Sequence, residues 1–504
     1  MTTSARPRSL LLVDGLADEG TFRSWDTAPG PVPRAVDTPA YRGELAAARE
    51  RSGADESVLT GEAHVGGHRV ALVVNEFGFL AGSIGVAAAE RLLAAVERAT
   101  AQGLPLLAVT ASGGTRMQEG SLAFLQMPAI AAAVAAHKDA GLLHVVYLRH
   151  PTTGGVLASW GSLGHLTVAE PGAFVGFLGP KVHAALHEGR PFPAGVQSAE
   201  NLLAHGVVDA VVPAEDLAGY LAGLLAVVTA RPRRRLCPTG RATPPADGPA
   251  ADAWDSVTRT RRRARPGVRQ LLDEGGSPLI PLGGSGRGEP ADGLLVGLTC
   301  LGAAPCVLIG QDRAAQESAP LGPGSLRTAR RAMRLAEQLG LPVVTVVDTP
   351  GAALSVAAEQ GALAFEIGSC LADLADLAVP TLSVLLGQGS GGAALALLPA
   401  DRVLAARHSW LSPLPPEGAS VILHGTVTRG PQVVAAQQVR STDLLRAGLV
   451  DVILDERPDA ADEPAAFCRR VVAAVEDELL SAPQLSPAER RARRRDRYRG
   501  LTRL

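Results

Sequence analysis

The chain has 504 residues, of which 46% are hydrophobic and 19% charged, with a formal net charge of -2. That length exceeds what one ordinary core serves, so two or three domains are expected. The near-neutral balance gives no electrostatic basis for binding nucleic acid or an anionic membrane surface.

Residues 1–58 are polar and mixed, with helical spacing over 41–51, and read as a leading segment. A hairpin follows: 63–65, a turn at Gly66-Gly67, then the apolar run 69–74. A helical run is expected over 86–100. The apolar run 104–109 reads as a buried strand that enters Ser112-Gly113-Gly114-Thr115, and helical spacing resumes over 122–136. A second strand, 143–148, runs into another glycine pair, Gly154-Gly155. Residues 231–253 are rich in proline and arginine and read as a linker.

The second half repeats the first. A helical-looking piece over 254–274 leads in. Strands over 294–300 and 306–309 precede a helix over 324–339. The strand 343–347 enters Asp348-Thr-Pro-Gly351-Ala352, and the strand 381–386 enters Gly387-Gln-Gly-Ser-Gly391-Gly392, with a helix over 393–398. The pattern L-L-x-x-G-x-V-D-x-(V/I) occurs from Leu202 and again from Leu444, which marks a duplication at domain scale. Alternating strands and helices give an α/β class. A basic tail over 481–504 reads as a solvated or docking helix end rather than a nucleic-acid arm.

The five cysteines, Cys237, Cys300, Cys306, Cys370 and Cys468, form no C-x2-C pair, so no zinc or redox motif is visible. Their irregular spacing points to reduced thiols in a cytoplasmic protein. No apolar run approaches the ~20 residues of a membrane span, and the apolar patch at the N-terminus is too short for a signal peptide.

A strand, a Ser-Gly-Gly turn and a helix together can hold negative charge developing on an oxygen, because glycine permits the sharp turn and leading helical N–H groups lack partners. No Ser-His-Asp order, HExxH motif or meaningful carboxylate pair accompanies it. Ser112 lacks the G-x-S-x-G elbow of a hydrolase.

These residues resemble the carboxyltransferase of acetyl-CoA carboxylase, with its β and α subunits fused in one chain. The β-like signals are Phe79-Leu-Ala-Gly-Ser-Ile-Gly, Ser112-Gly-Gly-Thr-Arg-Met-Gln-Glu-Gly, Thr152-Thr-Gly-Gly and Gly176-Phe-Leu-Gly-Pro-Lys-Val. The α-like signals are Asp348-Thr-Pro-Gly-Ala, Gly387-Gln-Gly-Ser-Gly-Gly and Pro416-Glu-Gly. The resemblance covers nearly the whole chain in order. It implies two tandem crotonase-like (ClpP/crotonase) domains built from ββα units, a β-subunit-like one over 59–230 and an α-subunit-like one over 254–480.

It also implies transfer of a carboxyl group from carboxybiotin to acetyl-CoA or a related acyl-CoA, through an enolate, with no protein base. The expected donors are Gly113 and Gly114 in the first half, with Gly391 and Gly392 in the second; either turn can serve either oxygen. Ser112, Arg116, Gly154, Gly155, Gly351 and Ala352 are the expected substrate contacts, Arg116 alternatively pairing with Glu119 to order its loop. The biotin carboxyl carrier protein and biotin carboxylase are expected as separate chains, the protein as a homo-oligomer, and no bound metal.

The chain departs from the family in three places. It lacks the four-cysteine zinc ribbon. Residues 353–360 replace a stretch containing Tyr-Pro-Gly. Gln388 and Ser390 stand where the family tends to have Glu and Gly. The rival expectations are a biotin-independent malonyl-thioester decarboxylase and a non-catalytic assembly paralogue.

Overall fold

The computed structural model describes residues 6–235 and 252–500, apart from 180–182, 186, 188–189 and 191. Lys181, Cys237 and most of the proline- and arginine-rich linker lie outside the described residues. The chain divides into two compact units, Met1–Ala226 and Val227–Leu504.

The first unit is built on one sheet. Its strands are β1 (Arg23–Ser24), β2 (Val58–Val65), β3 (His68–Asn75), β4 (Leu106–Ser112), β5 (His144–Thr153), β6 (Leu166–Ala169), β7 (Val175–Gly176) and β8 (Ala210–Val211). The spatial order is β1-β2-β3-β4-β5-β6-β8, with β7 against the end of β5. β2 and β3 form the expected antiparallel hairpin, and the pairings from β3 onward are parallel. Parallel strands are covered on both faces, so they read as unbroken apolar runs; all seven residues of β4 are buried.

Five helices of this unit bear on the site: α1 (Pro39–Ser52), α2 (Val86–Ala101), α3 (Gly120–Phe124), α4 (Gln126–Asp139) and α5 (Gly154–Leu157). Ala88, Ala89, Leu92, Ala95, Val96 and Ala99 form the buried stripe of α2, at the spacing of one helical face. The single helix expected over 122–136 is instead α3 and α4, bent by 48°. Among the described residues no single helix is long and apolar enough to cross a membrane.

The second unit repeats the plan. Its strands are β9 (Ile280–Pro281), β10 (Leu294–Leu301), β11 (Ala304–Gln311), β12 (Val343–Thr349), β13 (Thr381–Ser390), β14 (Arg402–Ala406), β15 (Trp410–Ser412) and β16 (Val452–Leu454). The order is β16-β14-β13-β12-β11-β10-β9, with β15 against the end of β13. The piece expected as one helix over 254–274 is two, α6 (Ala253–Thr260) and α7 (Val268–Gly275). Pro266 lies between them, and proline disfavours helix in the residue before it.

The remaining helices of interest are α8 (Pro323–Leu339), α9 (Leu363–Asp376), α10 (Gly391–Leu395), α11 (Pro416–His424), α12 (Pro464–Ser481) and α13 (Pro487–Gly500). The helix expected over 393–398 therefore starts at the glycine pair itself. The basic helix α13 docks rather than waving in solvent. Arg494, fully buried, donates to the carbonyls of Leu374, Ala375 and Leu377 at the end of α9, where a cation satisfies otherwise unpaired acceptors.

Candidate functional site

Each sheet ends in the same irregularity. Between β4 and β5 the pairing steps from Thr110–Leu148 to Ser112–Thr152. Between β12 and β13 it steps from Val347–Leu385 to Thr349–Gly389. The extra residues on the second strand swing its end across, and the chain then enters the glycine pair that opens α5 or α10.

The details repeat atom for atom. Gly114 N–H donates to Ser112 Oγ at 3.0 Å, and Gly351 N–H to Thr349 Oγ1 at 3.1 Å. Thr115 bridges Ile84 as Ala352 bridges Leu321. Gly114 and Gly351 have φ of +104° and +140°; Gly154 and Gly391 have φ of +60° and +68°. Only glycine enters those regions without strain. In the first unit the two turns touch. A Cβ on Gly114 would lie 3.0 Å from Gly155 N and 3.2 Å from Gly154 Cα. Gly351 and Gly391 open on more space, their nearest neighbours being Ser390 Oγ at 4.0 Å and Pro413 O at 3.5 Å.

The expected donors Gly113 and Gly114 need correction. Gly113 N–H donates to Ala81 O at 2.9 Å, and Gly114 N–H is spent on Ser112 Oγ. In the second unit Pro350 stands at the position of Gly113 and has no N–H at all. Gly154 N–H donates to Phe177 O. Gly155 and Gly392, each second in its helix, have no intrahelical acceptor for their N–H groups. Half-buried, they are left over as donors, and Gly391 N–H, first in its helix, likewise has no intrahelical acceptor.

Ser112 is fully buried, its Oγ donating to Gly82 O at 2.6 Å while accepting from Gly114. It shapes the turn and does not face a ligand. Arg116 is also withdrawn from substrate contact. It is 1% exposed, ion-paired with Glu56, close to Glu119, and donates to Ser83 O. Glu119 in turn accepts from Tyr41 of α1 and from Val86 N–H at the start of α2. The loop is therefore held by residues of the leading segment, which composition alone did not tie to it.

The second turn has its own brace. Gln311 accepts from Asp348 N–H and donates to Ala393 O, joining the ends of β11 and β12 to α10. The fully buried Asp348 carboxyl accepts from Gln388 N–H; burial pushes its pKa up, against the lowering pull of Arg313 3.6 Å away. Ser390 Oγ is buried and has no hydrogen-bond partner among the described residues. Nothing in the spacing flagged Gln311 or Thr349, although laying the two halves over one another at the Gly-Gly pairs aligns Thr349 with Ser112.

Two arginines of α8 are held by carboxylates. Arg327 pairs with Glu289 and Glu366, and Arg330 with Asp373 and Glu366. Glu417 is held by Arg261 at 2.7 Å. Among the described residues no group of His, Cys, Asp and Glu is placed to hold a metal ion.

Two family models cover the chain: a carboxyl transferase domain over residues 37–259, and an acetyl co-enzyme A carboxylase carboxyltransferase-like model over 250–502. A probable biotin-dependent acyl-coenzyme A carboxylase beta3 subunit of Mycobacterium tuberculosis is 55% identical over 485 residues, 96% of each chain. The chain belongs to the carboxyltransferases of the biotin-dependent acyl-CoA carboxylases. An acetyl-coenzyme A carboxylase carboxyl transferase, subunits beta/alpha, of Salinispora arenicola is 39% identical, covering 97% of this chain and 90% of that one. The fold matches transcarboxylase 12S with a TM-score of 0.70 at 18% identity, over 95% of this chain and 90% of that one. It also matches a single-chain long-chain acyl-CoA carboxylase with a TM-score of 0.69 at 18% identity, over 92% of this chain and 45% of that one. The expected pair of crotonase-like carboxyltransferase domains is thus the fold found. In this family the carboxyl group arrives on carboxybiotin from a partner subunit.

Proposed function

We propose that this carboxyltransferase carboxylates acetyl-CoA, giving malonyl-CoA. The observation that carries the reading is the pair of matched turns, each opening a helix on half-buried glycine N–H groups that have no intrahelical acceptor. Abstraction of the α-proton of a thioester puts charge on its carbonyl oxygen. A preorganised N–H aimed at that oxygen stabilises the enolate, and losing one such donor typically costs ~2.7–4 kcal/mol of barrier.

We assign that donor role to Gly155 in the first unit and to Gly392 in the second. Gly113, Gly114 and Gly154 shape the first pocket, and Gly351, Ala352 and Gly391 the second. The open space over Gly351 and Gly391 suits a flat polar ring better than the crowded contact of Gly114 with Gly155, so the second turn is the one we assign to the ureido oxygen of carboxybiotin. That group, carried on a separate carrier protein and charged by a biotin carboxylase, supplies the carboxyl. The preference for acetyl-CoA rests on the second-half family model and on relatives named for acetyl-CoA.

The proposal includes a homo-oligomer and a cytoplasmic location. Large exposed apolar side chains support the first: Met117, Phe124 and Leu125 near one turn, Leu354, Val356 and Phe365 near the other. The four cysteines among the described residues, all free, support the second.

The test is malonyl-CoA consumption followed by mass spectrometry, with and without free biotin. Acetyl-CoA and carboxybiotin appearing only when biotin is present is the expected result. Acetyl-CoA forming equally well without biotin refutes the transferase reading and makes the chain a decarboxylase, with Gln388 and Ser390 marking a lost biotin site. Running the forward assay with acetyl-, propionyl- and long-chain acyl-CoA tests the substrate; a higher kcat/KM for a longer chain refutes the acetyl assignment alone.

A further inference from the structure

We propose that the second unit carries a phosphate-class oxyanion site at the end of its sheet opposite the glycine turn. A cavity of about 130 Å³ lies where α12 and α13 cover the starts of β13 and β14. Thr381, at one end of β13, lines it, whereas Ser390 at the other end belongs to the glycine turn. A strand of that length separates the two by roughly 30 Å.

Three carboxylates line the cavity, and all three are fully used. Asp401 accepts from Arg490, Arg494 and Thr381 N–H. Asp451 accepts from Arg402, Arg497 and Val403 N–H. Both oxygens of Glu478 are taken by Arg402. Five arginines face these three acids, since Arg493 also lines the cavity.

Two of the five arginine charges are therefore unmatched by the acids of the cavity. Arg493 is exposed and makes no ion pair among the described residues. Guanidinium forks match the oxygens of phosphate in both geometry and charge.

The cavity has room for one such group. An adjoining groove of about 450 Å³, lined by Pro232, Pro342 and Leu485, can take a small organic remainder. The group can therefore arrive as free phosphate or as a phosphate monoester. Bound there, it would tie α13 to the sheet from the side away from the catalytic turn.

Isothermal titration of the full chain with inorganic phosphate tests this, against chloride at constant ionic strength. Saturable binding of one ion per chain is expected, with Arg493→Ala weakening it at least ten-fold while leaving the carboxyl-transfer rate unchanged. Arg490→Lys keeps a cation for Asp401 and removes the guanidinium fork, so it too should weaken binding. Because Arg493 is exposed, its variant folds and carries the test even if Arg490→Lys does not. Glycerol 3-phosphate binding more tightly than phosphate would bring the groove into the site; binding more weakly would make free phosphate the ligand. Absence of saturable binding, or an unchanged affinity in Arg493→Ala, overturns the proposal.

Discussion

Two adjacent glycines offer a sharp contrast. At Gly113 the backbone is not left-handed, and an added Cβ would meet only Ala81, its O at 3.6 Å and its Cβ at 3.9 Å, both ordinary contacts. At Gly114 the φ of +104° is one that side-chain-bearing residues rarely adopt, and the Cβ would press on the backbone of the other turn at 3.0–3.3 Å. Gly113→Ala should therefore be nearly neutral in stability and activity. Gly114→Ala should cost about 1–3 kcal/mol for the strained backbone alone, which lowers Tm by about 2–10 °C in a unit of this size. The contact with Gly155 N adds a catalytic penalty. The two turns must separate by some tenths of an ångström, and misplacement of about 1 Å can cost ~100-fold in rate. A loss of about ten-fold in kcat is expected, with KM changed less. Calorimetry and the malonyl-CoA assay read both quantities. If Gly114→Ala matches Gly113→Ala in Tm and kcat, the coupling of the two turns through this contact is wrong.

Three further outcomes follow from the same geometry. Ser112→Ala strands Gly114 N–H, and Thr349→Val strands Gly351 N–H and Gln316 Oε1. Each should lose about 1–3 kcal/mol per buried group left unpaired, measured by chemical denaturation. Arg265 is completely buried against Glu456, near Asp459, and also donates to Leu386 O. Arg265→Met should cost about 3–5 kcal/mol, with much of it recovered in the Arg265→Met, Glu456→Leu double variant, because the single change leaves a buried charge unpaired. The His144 ring is fully buried, and burial, with smaller contributions from His137 and Lys138, pushes its pKa down to about 3. The unfolded chain then binds a proton that the folded chain refuses, so stability is intact above the unfolded pKa of about 6.5 and falls as pH drops below it, by up to about 1.4 kcal/mol per pH unit. Urea denaturation at pH 7 and pH 5 should show this slope in the native chain and less of it in His144→Leu.

The sequence determined the class of fold, the duplication, and the place of both glycine turns. Strands buried on both faces are written as unbroken apolar runs, and a left-handed turn is written as glycine, so Gly114, Gly154, Gly351 and Gly391 were legible from local chemistry. It did not determine which N–H groups those turns leave free. Gly113 and Gly114 looked like donors because they follow a strand, but their hydrogens are consumed by Ala81 and Ser112. The role passes to Gly155 and Gly392, because hydrogen-bond satisfaction depends on partners far along the chain. The same holds for charge. Arg116, Arg327 and Arg494 are each compatible with a solvated surface when read locally, and only the packing of α1, α9 and the neighbouring loops shows them buried or paired with carboxylates and carbonyls. A periodic pattern fixes which face of an element turns inward; which distant group meets it there is decided by the tertiary fold, through desolvation that no local stretch of sequence records.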